Sequence, residues 1–142
     1  MPAEARRFER RIDALIEIAA FVAGFLERQD LGRDIRPAVD FAVEELFTNM
    51  VMSGAGGYPT VDIELATIPG GVVVTLVDRG VAPFDVTQAP DADLSQPLER
   101  RAPGGLGLHL TRRLVDSIEY QYSPQLRESR ITFRKTGGPP AA

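Results

Sequence analysis

Gly104-Gly105-Leu106-Gly107-Leu108 places three glycines in four positions, directly before an apolar, helix-like run. Glycine lets backbone N–H groups close on an anion, and a helix start adds a favourable dipole. A Walker-type loop would continue Gly-Lys-Ser/Thr, and no lysine is near. A dinucleotide fingerprint would follow a strand, whereas a proline-rich irregular stretch precedes this one. Two readings remain: a glycine hinge that opens a helix N-terminus, or a plain loop-to-helix junction.

Upstream, Ala38, Ala42, Glu45, Asn49 and Met52 form one stripe of a helix, and Arg33, Arg36, Asp40 and Glu44 form another that reads as solvated. Glu45 and Asn49 thus lie one turn apart on an otherwise apolar face. Burying a carboxylate and an amide is costly without polar partners. Either they reach water at the helix rim, or a cation, a nucleotide or a side-chain network meets them. Asp78 ends an apolar strand and precedes Arg79-Gly80. A carboxylate there can accept from an exocyclic amine such as that of adenine, and glycine beside it lets a flat ring approach. It can equally cap its own turn.

The chain that must position these residues has 142 residues, 44% hydrophobic and 25% charged, which predicts one soluble domain with one core. Its net charge of −4 and pI near 5.0 argue against a nucleic-acid partner. Absence of cysteine rules out disulfides and thiolate chemistry, and the single histidine, His109, rules out a multi-histidine metal site. The N-terminus does not read as a secretory signal, and the longest apolar run, 18–26, is too short for a bilayer. A cytoplasmic location is expected.

The pattern predicts a strand near 6–12, a helix from Asp13 through Leu15, Ile18, Val22, Phe25 and Leu26, and a helix from about Asp34 to Met52 with Pro37 in its first turn. A strand with Val61, Ile63 and Leu65 inward leads through Pro69-Gly70-Gly71 into 72–77, a strand that reads as buried on both faces. After a long irregular segment come a helix at 106–115 and closing strands at 117–122 and 129–135, with a frayed tail at 137–142. Helices segregate from strands. The expected fold is an α+β two-layer sandwich, its sheet mixed but mostly antiparallel, with helices on one face.

Four elements in order, Glu45-x-x-x-Asn49, Asp78-Arg79-Gly80, Gly104-Gly105-Leu106-Gly107-Leu108 and Thr132 in the last strand, resemble the Bergerat-fold ATPases of the GHKL superfamily. The wording Ala42-Val43-Glu44-Glu45-Leu46-Phe47-Thr48-Asn49 and Arg113-Leu114-Val115-Asp116 resembles most the anti-sigma-factor serine/threonine kinase family. The resemblance covers about residues 6–136, with a lid at about 79–105. It implies ATP and Mg²⁺ as cofactors. Asn49 would ligate Mg²⁺, Glu45 would be the general base, and Asp78 with Gly80 would take the adenine. Gly104, Gly105, Leu106, Gly107 and Leu108 would hold the phosphates through backbone N–H groups. Thr132 would support the adenine end through Asp78 or a water. The lid has no lysine, and its only nearby cations, Arg100 and Arg101, either touch the γ-phosphate or form a solvated basic pair.

The resemblance implies a protein serine/threonine kinase that phosphorylates a STAS-domain anti-sigma-factor antagonist and holds a sigma factor in a partner-switching scheme. It also admits a homodimer built on the first strand and helix. The sequence departs from the family at Ser53, where a histidine is expected, inside Met52-Ser53-Gly54-Ala55-Gly56-Gly57-Tyr58. That departure motivates a second reading: an ATP-dependent regulatory binding module with weak or no kinase activity.

Overall fold

The computed structural model describes residues 2–53, 56–88 and 105–137. Among these residues five strands form one sheet: β1 (Ala3–Glu9), β2 (Thr60–Ile68), β3 (Gly71–Arg79), β4 (Ser117–Ser123) and β5 (Glu128–Thr136). The helices are α1 (Leu15–Arg28), entered through a 3₁₀ turn at Ile12–Ala14, α2 (Arg36–Ser53) and α3 (Gly105–Leu114). Spatial order is β1-β2-β3-β5-β4. Where the sequence left the sheet mixed, all four ladders are antiparallel. The chain leaves β3 by way of α3, lays down β4 at the edge, and returns as β5 into the gap beside β3.

One face of the sheet is apolar and the other charged, because side chains alternate along each strand. Phe8, Val61, Ile63, Leu65, Val74, Leu76, Ile131 and Phe133 point into the core, all at 3% exposure or less. Ile18, Val22, Phe25 and Leu26 of α1 and Val39, Val43, Leu46 and Phe47 of α2 meet them. Each such side chain contributes about 1.5–3 kcal/mol on leaving water. The opposite face carries ion pairs: Arg7 Nε to Asp62 Oδ1 at 2.8 Å, Arg79 Nη1 to Asp62 Oδ2 at 2.7 Å, and Arg130 to Glu64 at 3.4 Å. The β3 strand is therefore less enclosed than its sequence reads, since Val73 and Thr75 face this partly open side.

Strand β1 spans 3–9 rather than 6–12. Glu4 and Ala5 pair with Leu65 and Glu64 through the backbone, while Ile12 already turns into the 3₁₀ segment. The predicted solvated stripe of α2 is outward, with Arg36 and Asp40 paired at 3.3 Å and Glu44 exposed.

Candidate functional site

The α2 helix presents Glu45 half-buried and Asn49 at 8% exposure. Packing of α3 on α2 brings the glycine cluster to them: a Cβ at Gly107 would overlap the Glu45 carboxylate. Gly107 is thus a close-approach glycine, and Glu45 lies against the first turn of α3. Burial, and after it the negative charge of Glu44, holds the Glu45 carboxyl above the ordinary glutamate range. The buried Thr111 hydroxyl donates to the Gly107 carbonyl at 2.8 Å and steadies that turn. Leu108 is 2% exposed and its side chain belongs to the core, so only its backbone could serve a ligand.

Ser53, in the position where histidine was expected, turns back on its own helix. Its hydroxyl donates to the Asn49 carbonyl and stands 3.4 Å from Asn49 Oδ1. This is the back-bonding habit of serine near a helix end.

Asp78 faces the core side, only 4% exposed. Register sets Phe8, Val61, Asp78 and Ser129 in one row across four strands. Arg10 lies two residues beyond Phe8 and so shares its face. Its guanidinium forks onto both Asp78 oxygens, at 3.2 Å from Nη1 to Oδ2 and by a close contact from Nη2 to Oδ1. The same guanidinium donates to the Met50 carbonyl at 3.0 Å and the Tyr58 carbonyl at 2.7 Å. Gly80, at φ +71°, lies under the Tyr58 ring: a Cβ there would sit 2.8 Å from Tyr58 Cδ1.

Thr132 is not beside Asp78. It lies three residues past Ser129, on the other face, where its hydroxyl meets that of Thr75 at 3.3 Å. Ser129, buried and directly opposite Asp78, holds the position expected of Thr132. Arg100, Arg101 and Gly104, and most of the expected lid, lie outside the described residues. The first part of that segment is fastened down: Tyr122 Oη donates to the Val81 carbonyl at 2.6 Å, Phe84 N–H donates to Tyr120 Oη at 2.9 Å, and Arg112 donates to the Val86 carbonyl at 2.8 Å.

Sequence reading missed Arg10, Tyr58 and Ser129. Only strand register brings the first and last to Asp78, and no local spacing announces it.

A helix carrying Glu45 and Asn49, a glycine helix start against it and an acidic strand end agree with one family. A sequence profile of the histidine kinase-like ATPase domain matches residues 8–135. The chain belongs to that family. Among solved structures, this histidine kinase-like ATPase domain is similar to the RsbU and RsbW domains of Rv1364c from Mycobacterium tuberculosis, at 15% identity and TM-score 0.67, covering 96% of this chain and 32% of that one. The chain therefore spans about a third of that protein's length, and the likeness is one of fold. It also aligns with the histidine kinase AdeS of Acinetobacter baumannii at 15% identity and TM-score 0.44, over 96% of this chain and 68% of that one. No curated protein sequence matches the domain.

The residues can be tested against Mg²⁺ and a nucleotide. At the phosphate end they fit: an amide oxygen and a carboxylate lie on one helix face, beside a glycine helix start. No group of three or more His, Cys, Asp or Glu side chains converges among the described residues. At the adenine end the expected acceptor and the expected ring platform are both covered by the chain's own side chains.

Proposed function

We propose that this domain is an ATP-dependent protein serine/threonine kinase of the anti-sigma-factor type, acting on a STAS-domain antagonist and holding a sigma factor in a partner switch. The observation that carries the reading is the seating of the Glu45 carboxylate on Gly107, with Asn49 one turn along α2. Asn49 would give its amide oxygen to Mg²⁺, and the ion would neutralise phosphate charge when bound. The N–H groups of Gly105 through Leu108 would hold phosphate oxygens at the α3 start. Glu45 would take the proton from the attacking serine or threonine hydroxyl, its raised pKa bringing it nearer working pH. The protein's task is then mainly positioning and charge stabilisation.

Glu45→Ala tests the assignment in a radiolabelled-phosphate transfer assay with a STAS-domain antagonist. Nucleotide affinity should hold while transfer falls by about 10²- to 10⁴-fold. Equal transfer by variant and parent would remove Glu45 as the base.

The second reading, a nucleotide-dependent binding module without transfer, is favoured by Ser53, whose hydroxyl is spent on its own helix. It predicts intact ATP affinity and partner binding with no phosphate transferred by the parent protein.

A further inference from the structure

The expected adenine subsite is filled from within. We propose that Arg10 and Tyr58 compete with the purine for this subsite, so that Arg10 sets nucleotide affinity and must leave Asp78 before a base can dock. The inference rests on the ATP-binding reading above.

Three observations support it. Arg10 engages both oxygens of Asp78 in a fork, and the two side chains are 11% and 5% exposed. A guanidinium–carboxylate fork makes two hydrogen bonds between opposite charges, whereas a neutral exocyclic amine would make one to the same carboxylate. The amine does not displace it unaided, so contacts at the phosphate end must supply the difference. Second, the Tyr58 ring lies on Gly80, where a flat base would lie. Tyr58 is 56% exposed, so its ring has room to swing away. Third, Arg10 is held by its backbone N–H on the Pro59 carbonyl at 2.8 Å, independently of its side chain. The guanidinium can therefore withdraw by side-chain rotation while β1 stays paired.

Arg10 also bonds the end of α2 and the loop before β2. A residue serving only as a structural staple would make the same contacts. The two roles differ in what nucleotide does to them. If the binding-competent state is a minor one, apparent affinity falls by its population.

Titration of Mg-ADP by calorimetry into the parent and into Arg10→Met, which keeps an apolar stem, should show at least tenfold tighter binding by the variant. Tightening of that size means that the parent is open about one part in ten or less. Arg10→Lys keeps the charge and loses the fork, and should fall between the two; it serves if Arg10→Met does not fold. On the unmodified parent, phenylglyoxal labelling read by peptide mass spectrometry should find Arg10 protected alone and reactive with saturating Mg-ADP. If the folded variants bind no tighter, or if Mg-ADP binds while Arg10 stays protected, Arg10 is a staple and the proposal falls while the ATP reading stands. If neither parent nor variants bind Mg-ADP at millimolar concentration, both readings fall together.

Discussion

At the scale of single residues, the proposed site has Glu45 against the start of α3 at one end and Asp78 engaged by the chain's own Arg10 at the other. Asn49 sits at the first end, 8% exposed, with Ser53 as its near neighbour. Replacing it by alanine removes a buried oxygen donor. Asn49→Ala should therefore abolish the gain in nucleotide affinity that magnesium gives, so that calorimetry with magnesium and with a chelator returns the same dissociation constant. A persisting magnesium effect would move the metal site elsewhere. In the sequence Glu45, Asn49 and Asp78 stand out as candidates because each breaks a pattern: two polar residues on an apolar helix stripe, and one acid at the end of an apolar strand. The sequence hid Arg10 and misplaced Thr132 for the opposite reason. Arg10 is one charge within Arg6-Arg7-Phe8-Glu9-Arg10-Arg11 and breaks nothing. The choice between Ser129 and Thr132 depends on pleat parity, which flips with each residue and is fixed only by pairing across strands.

At the scale of elements, the α2–α3 contact decides whether the proposed base and the proposed phosphate loop meet. A methyl group at 107 has no space beside the Glu45 carboxylate. Gly107→Ala should push the carboxylate aside or prise α3 from α2. Alanine favours helix by roughly 0.5–1 kcal/mol over glycine, so secondary structure should survive. Transfer should drop at least tenfold with an unchanged far-ultraviolet circular dichroism spectrum. If transfer is retained, the contact does not position the base. Helices and the Pro69-Gly70-Gly71 hairpin were legible from period and turn chemistry. The insertion of β5 between β3 and β4 was not, because local pattern names strands but not their neighbours. Strand β1 shows the same limit: backbone pairing, not alternation, carries it back to Ala3.

At the scale of the whole molecule, the charged face of the sheet ties stability to pH. Hydrogen bonding from Arg7 holds the Asp62 carboxyl below its usual range, with Arg79 adding to the effect against a desolvation cost. A depressed folded-state pKa means stability that is complete above the unfolded value of 3.8 and lost as pH falls through the lower folded value. Asp116, lowered chiefly by the Thr136 hydroxyl, adds to the same window. Thermal unfolding followed below about pH 4 should show the parent losing midpoint temperature more steeply than Asp62→Asn. Parallel slopes would mean that the cluster does not hold the fold in acid.

Among the described residues, strand β1 lies at one edge of the sheet and is bonded on one side only. Edge elements open at lower free energy than interior ones, and they open from their ends. The far end of β1 runs straight into Arg10, and β3, which carries Asp78, lies two strands inward. Fraying of the outermost ladder past Arg10 would carry the guanidinium off the carboxylate, a second route beside rotation of the side chain. Local unfolding at this margin would leave Asp78 without its counter-charge long before the core itself gives way.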